Sequence, residues 1–207
     1  MYLLFDIITI SYFKSNVNPL FPRVAVIHKT INLSIIKFIN KIMKTLFLLL
    51  LCVGCTSQNF LQKSVSATTL STATAMVGLD EKTDRELLKD RMGVDPVRTQ
   101  WCAAFVNYVL NDHGIPGSEA VSSNPLTARS FIYWGSYVIS PEFGDIVVFP
   151  RGNQGWQGHV GFYIETVQVD GIDYYVILGG NQDDKVSYDL YPASKAIAIR
   201  RLEPGVI

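Results

Sequence analysis

The apolar residues of this chain change period once, and that change restricts the folds open to it. Cys102, Phe105, Val106, Val109 and Leu110 recur at i, i+3, i+4, i+7 and i+8, which is one face of a helix. Gly114 and Pro116 end that helix. Upstream, Thr83 to Glu86 reads as a capping box opening a helix with Leu87, Leu88 and Met92 on its apolar side, stopped by Gly93. A further helix is expected over Leu126 to Trp134, closed by Gly135. After Gly144 the pattern turns to compact β-branched runs. They are Asp145 to Phe149, Val160 to Val169, Ile172 to Leu178 and a last candidate, Ala196 to Leu202. Asp170-Gly171 between two of them is a hairpin turn signal. Helices first and hairpin-linked strands second give an α+β class, with N-terminal helices packed on an antiparallel sheet.

Charge divides the chain differently. The 207 residues carry 18 basic and 18 acidic side chains. Residues 1–55 hold six bases and one acid, so they carry +5, and residues 56–207 carry −5. A mildly acidic domain excludes a general nucleic-acid binder, which needs a basic excess. The basic part has the form of an address. Met43-Lys44-Thr45 opens it, Leu46 to Leu51 is an unbroken apolar run, and Cys52-Val53-Gly54-Cys55 follows. With Cys52-Val53-Gly54 the apolar stretch is about ten residues, short of the roughly 20 that cross a bilayer. Residues 43–55 resemble a bacterial lipoprotein signal peptide with Cys55 as the lipidated residue, Cys52 standing where the pattern usually has Leu. Residues 1–42 are then either the product of a misplaced start codon or a real extension. Residues 56–78, rich in Ser, Thr and Ala, read as a flexible tether of roughly 25 Å reach. Residues 79–207 form the folded domain. The expectation is an exported lipoprotein anchored in the envelope, on the outer membrane because Thr56 rather than Asp follows Cys55.

Cysteine arithmetic then isolates one thiol. Cys52 leaves with the signal and Cys55 is lipidated, so Cys102 stands alone and cannot form an internal disulfide. It opens a helix, where partial positive charge favours the thiolate. It also lies on the apolar stripe, where a free cysteine serves as a small core residue. His159 opens the strongest strand after the glycine-rich loop 152–158, and His113 at a helix end has a structural role. A thiol and an imidazole need a third polar group to orient the ring. With a two-residue turn at Asp170-Gly171, His159 faces Gln182; one bulge shifts the register and puts His159 beside Asn181. No metal-ligand spacing is present and no cofactor is implied.

Five segments in order complete the reading: Trp101 to Leu110, Ala128 to Gly135, Phe143 to Phe149, Gly158 to Tyr163 and Leu178 to Gln182. Together they resemble the CHAP and NlpC-type superfamily of papain-like cysteine peptidases and amidases, over roughly residues 80–202. The resemblance implies peptidoglycan as the substrate and no cofactor. It assigns Cys102 as nucleophile, His159 as base and Asn181 as the third member. The glutamate found two residues before the CHAP asparagine is replaced by Gly179. Asp145, from the family's Gly-Asp pair, is read as structural. Gln100 is a candidate oxyanion donor, and Trp101, Trp156 and Tyr163 are candidate groove residues. Amidase and endopeptidase chemistry both stay open, as does the oligomeric state. The rival reading is a membrane-tethered, non-catalytic wall-binding module on the same fold.

Overall fold

The computed structural model describes residues 37–45 and 66–203. The chain divides into two units, Met1–Gly54 and Cys55–Ile207. In the first, residues 37–45 form a helix whose side chains are exposed. The expected signal run beyond Thr45, the lipidation residue Cys55 and the beginning of the expected tether lie outside the described residues. Among the described residues, no helix is long and apolar enough to cross a membrane.

Among its described residues the second unit holds three α-helices and one antiparallel sheet. Helix α1 spans residues 66–75, α2 is Arg85–Met92 and α3 is Cys102–Asn111. The strands are β1 (Ser136–Tyr137), β2 (Ile146–Pro150), β3 (Gly158–Val169), β4 (Ile172–Gln182), β5 (Lys185–Pro192) and β6 (Ala198–Arg201), ordered β1-β6-β2-β3-β4-β5. This is the α+β arrangement the change of period predicts.

Helix α1 stands where residues 66–75 of the expected tether fall. Leu70, Ala73 and Met76 are buried in the main core. Their i, i+3, i+6 spacing makes a narrow stripe, diluted by Ser and Thr on the exposed sides. Leu70 packs in a small crevice with Leu110, Ile115, Trp134, Ile146 and Phe162. The capping box is also displaced. Asp84, not Thr83, precedes α2 and makes no side-chain cap, because its carboxylate accepts from the N–H of Asp80. The segment expected as a third helix forms a 3₁₀ helix, Ala128–Tyr133.

Strand alternation separates two apolar layers. Ile146, Val148, Val160, Phe162 and Leu178 join α1, α2 and α3 in the main core. Val147, Phe149, Tyr163, Ile177 and Ile199 form a second cluster. In the β3–β4 hairpin Val169 pairs with Ile172 and Glu165 with Val176; the register then slips by one, so that Tyr163 pairs with Ile177. Asp170 and Gly171 both take positive φ, as a two-residue primed turn requires. Asp183 and Asp184 do the same between β4 and β5, a strand whose turn carries no glycine and which the sequence reading left out.

Candidate active site

Cys102 is the first residue of α3 and is 3% exposed. It is the free cysteine of the described residues. The backbone N–H groups of Val160, Ala103 and Cys102 itself act on the sulfur and pull its pKa down, as does the charge of Arg151. Burial outweighs them and pushes the thiol up. The thiolate expected from the helix N-terminus is therefore not the resting form, because desolvation of the anion exceeds the stabilisation from the helix end.

His159 is fully buried at the start of β3, next to the Val160 N–H that meets the sulfur. It pairs with Phe149 across the β2–β3 ladder. Its ring stacks on Tyr191 of β5, with centroids 5.0 Å apart and planes 13° from parallel. Burial, first, and the charge of Arg151, second, push its pKa down to about 3. The resting pair is thus a neutral thiol and a neutral imidazole.

The imidazole's partner is Gln182. Gln182 Oε1 lies 2.9 Å from His159 Nε2. The Gln182 amide nitrogen donates to the carbonyls of Ser187 (2.6 Å) and Ile177 (3.3 Å). Those two acceptors fix the amide orientation, so Oε1 faces the ring and accepts from Nε2–H. The tautomer follows: the proton sits on Nε2, and Nδ1 presents a lone pair. Nδ1 is buried without a hydrogen-bond partner. Of the two candidates the register left open, Gln182 and not Asn181 meets the ring. Asn181 has φ of 57° and its amide donates instead to Gln100 Oε1 at 2.9 Å. The left-handed residue reverses the alternation at the end of β4, so the next side chain reaches the ring. Gly179 is part of the same device. A Cβ there would lie 2.9 Å from Gln182 Oε1 and 3.2 Å from His159 Nε2. The space a residue-179 side chain would enter is taken by the Gln182–His159 bond.

The groove candidates separate. Trp156 is exposed in the loop before β3. Trp101 is a core residue, fully buried, with Nε1 donating to Glu81 Oε2 at 3.2 Å. Its ring lies against Gly180, where a Cβ would come within 2.5 Å. Tyr163 is also buried, in the second cluster, with its hydroxyl 2.8 Å from Thr166 Oγ1. The Trp101 indole packs in the main core and the Tyr163 phenol in the second cluster, on the two sides of the sheet. Gln100 is exposed and engaged through its oxygen by Asn181, leaving its amide N–H groups for other acceptors. Asp145, 4% exposed, accepts from Arg201 Nε (2.9 Å), Arg201 Nη2 (2.8 Å) and the N–H of Glu142 (2.7 Å). It ties the loop before β2 to β6.

Two further residues at the site escaped the sequence reading. Arg151 follows β2 and reaches the Asn181 carbonyl (3.2 Å) and the Tyr191 hydroxyl (3.5 Å). Tyr191 stacks between His159 and Phe149, and burial leads its hydroxyl pKa up to about 12. An arginine after a strand and a tyrosine in an unpredicted one carry no spacing signal. Among the described residues no cluster of His, Cys, Asp and Glu could hold a metal ion.

A comparison with curated proteins gives no match. The family comparison does: residues 94–181, which run from before α3 into β4 and stop one short of Gln182, match the CHAP domain, which supports kinship with the CHAP-type peptidoglycan hydrolase superfamily.

Proposed function

We propose that the protein cleaves an amide bond in peptidoglycan by acyl transfer through Cys102, with His159 as base and Gln182 orienting the ring. The observation that carries this is the bare, buried Nδ1 of a neutral imidazole whose Nε2–H is already committed to Gln182. That nitrogen is poised to accept a proton, and the thiol beside Val160 N–H is the group with one to give. Proton transfer from Cys102 to Nδ1 accompanies attack of sulfur on the substrate carbonyl. The Cys102 N–H at the start of α3 faces the developing oxyanion, and the free amide N–H groups of Gln100 are a second candidate donor. The imidazolium then protonates the leaving amine, and the neutral ring activates water to release the acyl group. No cofactor enters this sequence. The N-terminal segment extends the proposal to an exported lipoprotein, held through Cys55 on the outer membrane.

The test is release of soluble muropeptides from purified sacculi. Release by the wild type and none by Cys102→Ala supports the reading; equal release by both overturns it. Mass spectrometry of the products separates an amidase from an endopeptidase. The second reading, a non-catalytic wall-binding module, is favoured by the deep burial of both Cys102 and His159. It predicts binding to sacculi with no release.

A further inference from the structure

Arg151 has no part in the proton transfers above, yet its head group lies beside the residues that make them. It is half-buried. Its two hydrogen bonds go to neutral oxygens, the Asn181 carbonyl and the Tyr191 hydroxyl, the latter long at 3.5 Å. Neither neutralises the charge. Arg85 and Arg98 pair with Asp95, and Arg201 pairs with Asp145 and Glu142, whereas Arg129 and Arg200, also half-buried, reach only the backbone carbonyls of Gln157 and Gly135. Among the described residues no carboxylate pairs with Arg151. A guanidinium removed from water without a counter-ion is costly. Of these half-buried arginines without an acid, Arg151 is the one whose charge acts on both the candidate nucleophile and the candidate base.

The position is also braced. Arg151 leaves β2 directly after Pro150, which pairs with Gly158 one residue before His159. Its two contacts hold the head group against the end of β4 and against the ring that stacks on His159. The same charge acts on both Cys102 and His159, so the head group lies within electrostatic reach of each. A planar guanidinium with donors to spare, at that distance, matches a carboxylate.

We propose that Arg151 binds a free carboxylate of the substrate beside the scissile amide, so that the enzyme selects acidic stem-peptide segments over their amidated forms. This rests on the hydrolase reading for the scissile bond but not for the binding itself. Tyr191 is the positioning residue: its hydroxyl orients the guanidinium while its ring backs His159.

The experiment measures binding to Cys102→Ala protein by calorimetry, which requires no turnover. The probes are a synthetic stem tetrapeptide with its carboxylates free and the same peptide with them amidated. Amidation is expected to weaken binding roughly 10- to 100-fold, the range of one charge-assisted hydrogen-bonded contact. In Arg151→Gln the two peptides bind within about 2-fold of each other. Arg151→Lys, which keeps the charge and loses the planar fork, retains part of the discrimination. Equal binding of the two peptides with Arg151 present overturns the proposal. So does discrimination that survives Arg151→Gln, and so does failure of both peptides to bind. The hydrolase reading is scored separately, on sacculi with wild-type protein. Muropeptide release without carboxylate discrimination removes Arg151's role and leaves the hydrolase, while discrimination without release does the reverse.

Discussion

Replacing Gln182 with alanine tests the site most directly. Its side chain is 2% exposed and makes one bond through oxygen, to His159, and three through nitrogen, to the Ser187 and Ile177 carbonyls and the Ser187 hydroxyl. Truncation leaves a buried imidazole N–H without an acceptor, a penalty of about 1–3 kcal/mol. It also strips a donor from two carbonyls, so the total loss of stability is about 2–4 kcal/mol. At the 2–4 °C per kcal/mol of a domain this size, the melting temperature falls by roughly 5–15 °C. Activity falls further than stability explains, because the ring loses what fixes both its tautomer and its tilt. If half to all of the lost bond energy is expressed in the transition state, muropeptide release slows about 10- to 100-fold at a temperature where the variant stays folded. The contrasting variant is Asn181→Gly, which suits the left-handed backbone and removes only the amide that reaches Gln100. It is expected to keep activity within about 3-fold. Nitrogen-15 NMR of the histidine ring adds a readout independent of turnover: the proton is on Nε2 in the wild type and loses its fixed place in Gln182→Ala. The reasoning is refuted if Asn181→Gly loses more activity than Gln182→Ala, or if the wild-type proton sits on Nδ1.

The buried neutral His159 makes stability depend on pH. Its folded pKa of about 3 lies below the ordinary 6.5, so between those values the unfolded chain binds a proton that the folded one does not. This contribution is fully present above pH 6.5 and is lost as pH falls toward 3; urea titrations at pH 7 and pH 5 should show the drop, reduced in His159→Phe. Burial pushes the Cys102 thiol up, so iodoacetamide at pH 8 should modify it at least about 10-fold more slowly than in the urea-unfolded chain; equal rates contradict the closed site. Leu70→Ala should cost about 2–4 kcal/mol in denaturant unfolding, since Leu70 is 3% exposed against the core. A true tether would tolerate it without change.

What the sequence made legible was whatever periodicity and turn chemistry encode. The α3 stripe, the Asp170-Gly171 turn and the order of helices before strands are local properties of the chain. Helix α1 was hidden because Ser and Thr fill its solvent side and only three apolar residues mark the buried one. The third member of the site was hidden for a subtler reason. Counting back from the turn and allowing a bulge does bring the register to Asn181, and the slip is real, at Ile164. A second departure, the positive φ of Asn181, then hands the contact to Gln182. Two irregularities in one hairpin undo each other's arithmetic, and neither can be counted from residue types. Strand β5 escaped because Asp183-Asp184 makes a primed turn without the glycine that normally announces one.

The place of β6 has a consequence for biosynthesis. This last strand lies between β1 and β2, and Arg201 closes on Asp145. While the chain emerges in order, the hairpins of β3, β4 and β5 can form from neighbouring segments. The other side of β2 stays bare, with Ile146, Val147 and Val148 waiting for Arg200, Ile199 and Ala198. A hydrophobic edge of this kind invites pairing with another chain. The domain therefore cannot close its sheet until β6 has been synthesised. Any step that holds the chain extended until β6 is available removes the interval in which that edge is exposed on a half-folded protein.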